Sequence, residues 1–414
     1  MRELDLQIAE RLLDNGLTVI AVRNPTAQTF AASAVLDVDM RDEQEAERGL
    51  AYLIGECFDE GTRRRSGVEL AQALDDIGCS LAGHCSGAAV TGPAKDAEPA
   101  LALLREVLFE PSFPAREVAR VKDEIRQEIE VDLADPRAVA QQRFRREVYG
   151  PHPYAHPEYG SAEHIARHDP EALHGFHRRW YVPRRGYVAL AGPLELDRGL
   201  DVLAAEFAGL EGTATDHRPA PEPGLPEPSN VHLAMEREQV HVFVGHPGIR
   251  RTDPDYHALV VMDHILGSGP GFTARIPRRL RDEQGLCYTV HASISHTAGE
   301  EPGTFAAYIG TSPAHRDRAI AGFLEEIERI RQDLPDETEL VDVRDYLTGS
   351  YVFSFERNAQ LARHVIRAKR LGLGFDHLEE YPERIRAVTR EDVLRVARAH
   401  LHPDHMVRVS AGGS

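Results

Sequence analysis

The feature that most constrains this chain is an internal repeat. Residues 170–192 read PEALHGFHRRWYVPRRGYVALAG, and residues 390–412 read REDVLRVARAHLHPDHMVRVSAG. In each segment a helical pattern that begins with acidic residues leads to a proline, Pro183 or Pro403. A short strand pattern ending in Ala-Gly follows, with the same proline-to-glycine spacing. Self-similarity of this kind indicates duplication, so the pattern predicts two related halves.

A proline-rich segment separates the two halves. Residues 217–230 read HRPAPEPGLPEPSN, a composition typical of an extended, semi-rigid linker. We therefore predict an N-terminal domain at 1–216 and a C-terminal domain at 231–414. Each half shows strand patterns, a helix, more strands and then several helices. This order favours the α+β class, with an antiparallel sheet covered by helices on one side.

The charge of the chain argues against nucleic acid as a partner. The 414 residues carry 48 Lys and Arg against 67 Asp and Glu, a formal net charge of −19. Phosphate contacts require a positive face, which this composition does not favour. An acidic chamber for basic peptides is one interpretation, and a solvated surface is the simpler one. No apolar run is long enough to span a membrane.

The cysteines indicate a reducing compartment. Cys57, Cys79, Cys85 and Cys287 form no CxxC pair, and so few cysteines in a chain of this size favour free thiols. Residues 1–15 carry charges throughout and show no apolar core of a signal peptide. We expect a cytoplasmic protein, and a periplasmic location stays open if a leader has been trimmed.

Residues 47–62 read ERGLAYLIGECFDEGT. This segment resembles the active-site helix of the M16 metallopeptidases, the family of pitrilysin and the mitochondrial processing peptidase. In that family the pattern is Gly-Leu-Ala-His-x-x-Glu-His, followed by an apolar pair and Gly-Thr. The two histidines bind zinc, and the glutamate between them activates the zinc-bound water.

The resemblance places substituted residues at all three of these positions. Tyr52 stands at the first histidine, Gly55 at the glutamate that acts as base, and Glu56 at the second histidine. Tyrosine is a poor zinc ligand at neutral pH, and glycine supplies no base. The resemblance therefore implies a homologue without an intact catalytic site, and we expect zinc and other cofactors to be absent.

The third zinc ligand of the family is a glutamate that precedes an Asp-Pro pair. Glu128 has the matching spacing to Asp135-Pro136, and Glu124, one helical turn earlier, is the alternative. A single carboxylate makes a weak zinc site, so an exposed or ion-paired carboxylate is the favoured interpretation at either position.

Residues 266–288 read LGSGPGFTARIPRRLRDEQGLCY and resemble a second family segment. There an arginine and a tyrosine, seven residues apart, reach the substrate at the zinc site. The resemblance assigns these roles to Arg281 and Tyr288. The guanidinium can pair with a carbonyl or carboxylate, and the hydroxyl can stabilise an oxyanion. Packing of both side chains between sheet and helix is the alternative. The glycine-rich turn 267–271 lacks the Gly-Lys-Ser/Thr of a phosphate-binding loop.

A short strand pattern corresponds by resemblance to the edge strand that pairs with bound peptide in the family. The candidate peptide-binding residues on it are Leu81, Ala82, Gly83 and His84. An internal strand flanked by buried thiols is the alternative.

The resemblance implies two homologous α/β-roll domains in a clam-shell arrangement. Its functional implication is a non-catalytic subunit that pairs with a zinc-bearing M16 subunit and encloses peptides. Self-association as a homodimer is the other arrangement. A catalytically inert peptide-binding or structural scaffold is the alternative function. An active metallopeptidase is disfavoured, because loss of the base and both imidazoles removes water activation.

Overall fold

The computed structural model describes residues 6–213, 215–217, 219–269 and 273–413. Its strands are β1 (Gln7–Leu12), β2 (Thr18–Arg23), β3 (Thr29–Val35), β4 (Ser80–His84), β5 (Gly87–Pro93), β6 (Tyr187–Gly192), β7 (Ser229–Leu233), β8 (Val240–Pro247), β9 (Cys287–Ser293), β10 (Thr304–Thr311) and β11 (Val407–Gly412).

The helices of the same residues are α1 (Leu50–Glu56), α2 (Gly67–Asp76), α3 (Ala97–Phe109), α4 (Ala115–Ala134), α5 (Pro136–Tyr149), α6 (Ala162–Arg167), α7 (Pro170–Trp180), α8 (Leu196–Phe207), α9 (Tyr256–Asp263), α10 (Arg316–Gln332), α11 (Glu337–Ser350), α12 (Asn358–Arg370), α13 (Asp376–Ala387) and α14 (Arg390–His400). None of these helices combines the length and the apolar character that crossing a bilayer requires.

The predicted repeat is present in the fold. Helices α7 and α14 are both 11 residues long, and strands β6 and β11 are both 6 residues long. The sheets have the orders β1-β2-β6-β3-β5-β4 and β7-β11-β8-β10-β9. In each sheet the repeat strand runs parallel to one neighbour and antiparallel to the other. The α+β class is thereby confirmed, with one parallel pair in each otherwise antiparallel sheet.

The compact units of the structure are not contiguous halves of the chain. The first unit comprises the described parts of Met1–Ile129, Pro157–Pro219 and Val352–Glu379. The second comprises those of Glu130–His156, Ala220–Tyr351 and Glu380–Ser414. Each unit therefore includes a segment from the opposite half of the sequence. The predicted boundaries 1–216 and 231–414 refer to the two repeats of the sequence, not to these compact units. They remain a prediction.

In the first unit, a helix from the second half covers one face of the sheet. Helix α12 packs against β3 and β6 and buries Leu361, Val365 and Ile366. At its start, the amide of Asn358 donates a hydrogen bond of 2.7 Å to the carbonyl oxygen of Thr29. The opposite face packs against helices from the first half, including α3 and α8. Both faces of this sheet are therefore covered.

The second unit has the reciprocal arrangement. Helix α5, from the first half, packs against β8 and β11. The rings of Phe144 and Phe243 stack with centroids 5.7 Å apart, within a buried cluster that also contains Val148 and Val409. The other face of the sheet packs against α9, α10 and α14. The expectation of helices on one side only was wrong, because the second covering helix comes from the opposite half.

The predicted linker is fixed at both of its ends. His217 hydrogen bonds through Nδ1 to buried Asp42 at 2.6 Å, lies 2.7 Å from Asp37 through Nε2, and stacks on the Trp180 ring. Its hydrogen bonds to Asp37 and Asp42 raise the pKa of His217 to about 10. At the other end, β7 begins at Ser229, inside the predicted range 217–230. Residue 218 lies outside the described residues.

The exchanged helix makes a prediction about local stability. We expect Phe144→Ala to lower the free energy of unfolding by about 3–5 kcal/mol, because it leaves a cavity in a packed core. In hydrogen exchange, β8 and β11 should lose protection while β3 and β6 keep it. Arg146→Ala, an exposed position on the same helix, is the matched control. Equal loss of protection in β3 and β6 would contradict the assignment of α5 to the second unit.

Candidate functional site

Helix α1 carries the three substituted positions, and a partly buried carboxylate fixes where it begins. Gly49 precedes the helix with a left-handed φ of 84°. The carboxylate of Glu43 accepts hydrogen bonds from the backbone N–H groups of Gly49 at 3.0 Å and Ala51 at 2.8 Å. Burial raises the pKa of Glu43 to about 8, although these two hydrogen bonds oppose the shift. The helix start is thus capped by a side chain that lies several residues upstream.

Tyr52 is paired with one of the two candidate glutamates. Its hydroxyl donates to the carboxylate of Glu128, with oxygen distances of 2.9 and 3.2 Å. Burial and this contact raise the pKa of Tyr52. Glu124 instead forms an ion pair of 2.6 Å with Arg120. Of the two alternatives, Glu128 is therefore the residue that faces the first-histidine position.

Glu56 adds a second carboxylate to this region. Desolvation and the nearby Glu128 raise its pKa, so the two acids repel each other. Around α1 the described residues thus offer two carboxylates and a phenol that is already hydrogen bonded to one of them. No imidazole or thiolate joins Glu56 and Glu128 in a three-donor group in this part of the described chain. This donor set does not fit a catalytic zinc, which needs three convergent ligands and an open position.

Gly55 stands where the family has its catalytic base, and the backbone of β4 lies directly against it. A Cβ atom at residue 55 would lie 2.6 Å from the carbonyl carbon of His84 and 2.8 Å from the nitrogen of Cys85. A Cβ at Gly83 would in turn collide with the carbonyl oxygen of Gly55. The helix and the strand therefore meet backbone to backbone. Any side chain at residue 55 requires one of them to move.

Strand β4 contains the candidate peptide-binding residues Leu81, Ala82, Gly83 and His84. It is the terminal strand of the first sheet and pairs with β5 alone among the described strands. The alternative of an internal strand is therefore wrong, although Cys79 beside it is buried. An edge strand can pair with an extended peptide through its backbone, and peptide binding here remains a prediction.

Arg281 and Tyr288 lie together in the second unit. Arg281 belongs to a π-helical turn at Pro277–Glu283, and Tyr288 is on β9, the terminal strand of the second sheet. The guanidinium carbon lies 5.2 Å from the centre of the tyrosine ring. Tyr288 is 85% exposed, which contradicts the alternative that it packs inside the fold. Of the glycine-rich turn beside them, Pro270 and Gly271 lie outside the described residues.

Both side chains line a cavity of about 890 Å³, which we name the second-unit cavity. All its lining residues belong to the second unit. It lies beside α5, β9 and β10, and Phe144 and Phe243 provide apolar walls. The sequence did not indicate Arg137 and Arg145 of α5 as lining residues. Helical periodicity predicts α5 but not the sheet on which it packs.

A second group of possible metal ligands lies in the second unit. Asp253, Asp255 and His400 place three possible ligand atoms close together. His400 Nε2 lies 2.8 Å from Asp255, and the guanidinium of Arg395 lies 2.9 Å from the same carboxylate. Arg395 and His400 thus pair with Asp255, and Asp253 accepts a hydrogen bond of 2.8 Å from the backbone N–H of Asp255.

Comparison with known proteins agrees with the M16 resemblance of both halves. A family model described as "Insulinase (Peptidase family M16)" matches residues 18–160, and one described as "Peptidase M16 inactive domain" matches residues 168–347. Together these two models of one family cover most of the sequence. The chain belongs to the M16 peptidase family.

Relatives align with this chain over nearly its whole length. The uncharacterized zinc protease YmxG of Bacillus subtilis is 24% identical over 97% of both chains. An uncharacterized zinc protease of Mycobacterium tuberculosis strain H37Rv is 27% identical over 93% of this chain and 89% of its own. The crystal structure of a peptidase M16 inactive domain from Pseudomonas fluorescens matches with a TM-score of 0.92, 26% identity and 99% coverage of both chains. A protease from Helicobacter pylori shares the fold, with a TM-score of 0.87 at 16% identity over 99% of this chain and 100% of its own.

The contact between Gly55 and β4 makes a direct prediction. We expect Gly55→Ala to lower the free energy of unfolding by about 1–3 kcal/mol, because the new methyl group overlaps the backbone at His84. Gly175→Ala is the matched control. That helix position in α7 has open space around it, and alanine there should stabilise by about 0.5–1 kcal/mol. Urea unfolding of the two variants checks this, and equal stability would contradict the close approach.

Proposed function

We propose that this chain is a non-catalytic M16 subunit that pairs with a zinc-bearing M16 subunit to enclose and process peptides. In this proposal its own contribution is substrate binding through Arg281 and Tyr288. By itself it has no peptidase activity.

The observation that carries the proposal is the contrast between the two units. At α1, the position of the catalytic base is a glycine in backbone contact with β4, and Tyr52 is hydrogen bonded to Glu128. In the second unit, Tyr288 is exposed beside Arg281, and both line a cavity. The chain thus retains groups that can hold a peptide and lacks those that activate water. A partner with an intact zinc site would supply the missing chemistry.

The relatives agree with a place in peptide processing. Several are named zinc proteases, and one solved relative is described as an inactive domain of peptidase M16. We extend the association with peptides, but not the zinc chemistry, to this chain. The cytoplasm is the compartment we propose, and the finding that Cys57, Cys79, Cys85 and Cys287 are all unpaired supports it.

The proposal makes a prediction about metal content. The protein purified without chelators should contain far less than one zinc per chain, because no three ligands converge at α1. Elemental analysis by mass spectrometry measures this directly. The zinc-bearing M16 protein of the same genome, purified in parallel, is the positive control. Tight zinc at one per chain, lost on substitution of Glu128, would overturn the non-catalytic assignment.

The functional test is peptidase activity with and without that partner. On fluorogenic peptides we expect no turnover by this chain alone and clear turnover by the mixture. Tyr288→Phe should reduce kcat of the mixture by about 10²-fold, as expected for loss of an oxyanion donor. Arg281→Ala should chiefly raise KM, because it removes a contact that holds the substrate.

Arg278→Ala is the control for these variants. Arg278 is exposed on the same turn and does not line the second-unit cavity, so the activity of the mixture should be unchanged. Co-elution of the two proteins should accompany the stimulation. Failure to co-elute, together with no stimulation, would favour the peptide-binding or scaffold alternative.

A further inference from the structure

The second-unit cavity has a charge opposite to that of the protein as a whole. The net charge of the chain is −19. The cationic or titratable bases on the wall are Arg137, Arg145, Arg281, His291 and His296. No Asp or Glu occurs among the described residues that line the cavity. The wall is therefore locally basic in an acidic molecule.

Two of these arginines have no carboxylate partner among the described residues. The guanidinium of Arg137 lies 4.6 Å from the centre of the Tyr308 ring, and its backbone N–H donates to Asp135, the N-cap of α5. Arg145 donates from Nε to the carbonyl oxygen of Tyr154 at 3.1 Å. The ring contact and the carbonyl orient the guanidinium groups without neutralising them. Both charges are therefore available to a ligand.

A histidine on the same wall, His291, lies within the electrostatic influence of Arg137. His291, on β9, has a lowered pKa, first through burial and then through the charges of Arg137 and His296. A neutral His291 at physiological pH can accept or donate a hydrogen bond to a bound group.

The position of the cavity at a sheet edge indicates the class of ligand. Tyr288, Thr289 and His291 of β9 all line it, and β9 is the terminal strand of the second sheet. An extended peptide can pair with such a strand through its backbone while its side chains enter the adjoining cavity. The planar guanidinium group of arginine can donate two parallel hydrogen bonds to a carboxylate. Phe144 and Phe243 can contact the aliphatic part of an acidic side chain.

We propose that the second-unit cavity binds a peptide segment that carries carboxylates, with Arg137 and Arg145 as its specificity-determining residues. This inference rests on the proposed peptide-binding function and names its substrate class. The carboxylate belongs either to Asp and Glu side chains or to a free C-terminus. Because the chain as a whole is acidic, a basic wall provides a local attraction for anions that its net charge does not.

Isothermal titration of the full chain with peptides of equal length tests the inference. The set comprises a Glu-rich peptide, its Gln counterpart and its Lys counterpart, all amidated, and the Gln peptide with a free C-terminus. We expect the Glu-rich peptide to bind at least about tenfold more tightly than its amidated Gln counterpart. Raising NaCl from about 50 to about 300 mM should weaken that binding, since the Debye length shortens. Tight binding of the Gln peptide with a free C-terminus alone would identify the terminal carboxylate as the recognised group.

Matched variants localise the effect. Arg137→Gln and Arg145→Gln should each weaken binding of the preferred carboxylate peptide by about tenfold. Arg146→Gln, which removes the same charge from the exposed neighbour on α5, should leave the affinity unchanged. Circular dichroism checks that all three variants keep the fold.

The outcomes separate this inference from the proposed function. Equal binding of all the peptides, or equal effects of Arg145→Gln and Arg146→Gln, would overturn the carboxylate preference and leave peptide binding intact. No binding by any peptide, with normal stimulation of the zinc-bearing partner, would overturn the inference alone. No binding and no stimulation would overturn both.

Discussion

Each sheet of this protein is completed by a helix from the opposite half of the chain. Helix α12 covers one face of the first sheet, and α5 covers one face of the second. Neither half of the sequence therefore supplies all the helices that bury its own sheet. The second-unit cavity depends on this exchange. Its aromatic wall consists of Phe144 from the first half and Phe243 from the second. Two of its arginines, Arg137 and Arg145, belong to α5. The lining of one cavity is thus built from residues far apart in sequence.

The first unit contains a helix that matches the active-site helix of the family in its Gly-Leu-Ala and Gly-Thr residues, with Tyr52, Gly55 and Glu56 at the positions of the ligands and the base. The start of α1 is capped by Glu43, and its end lies against β4 through Gly55 and Gly83. These contacts give the helix a structural role in joining the core to the edge strand. The difference from an intact zinc site therefore involves more than the identity of the ligands, because the base position has no room for a side chain while the backbones touch.

Much of the fold could be predicted from the sequence because its signals are local. The repeat of 170–192 at 390–412 reproduced both the lengths of the elements and their pairing in the sheets. The exchange of α5 and α12 could not be predicted, since periodicity shows that a helix has an apolar face but not which sheet that face meets.

The candidate site around α1 was also partly predictable, because its sequence motif is local. A motif comparison located Tyr52, Gly55 and Glu56, and only geometry separated Glu128 from Glu124. Glu43 gave no signal, because a carboxylate that caps a helix from several residues upstream matches no short capping pattern. Net charge likewise suggested an acidic chamber as one possibility, whereas the second-unit cavity is basic. Total charge does not determine the charge of a particular wall.

The helix exchange also has a consequence for synthesis on the ribosome. The first sheet has all its strands once Gly192 has emerged, but the helix that covers its second face begins at Asn358. During the intervening translation, the nascent chain carries a formed or forming sheet with an apolar face that its own preceding sequence cannot cover. Exposed apolar surfaces bind chaperones or aggregate. We therefore expect this chain to be most prone to aggregation during synthesis, before α12 has been made.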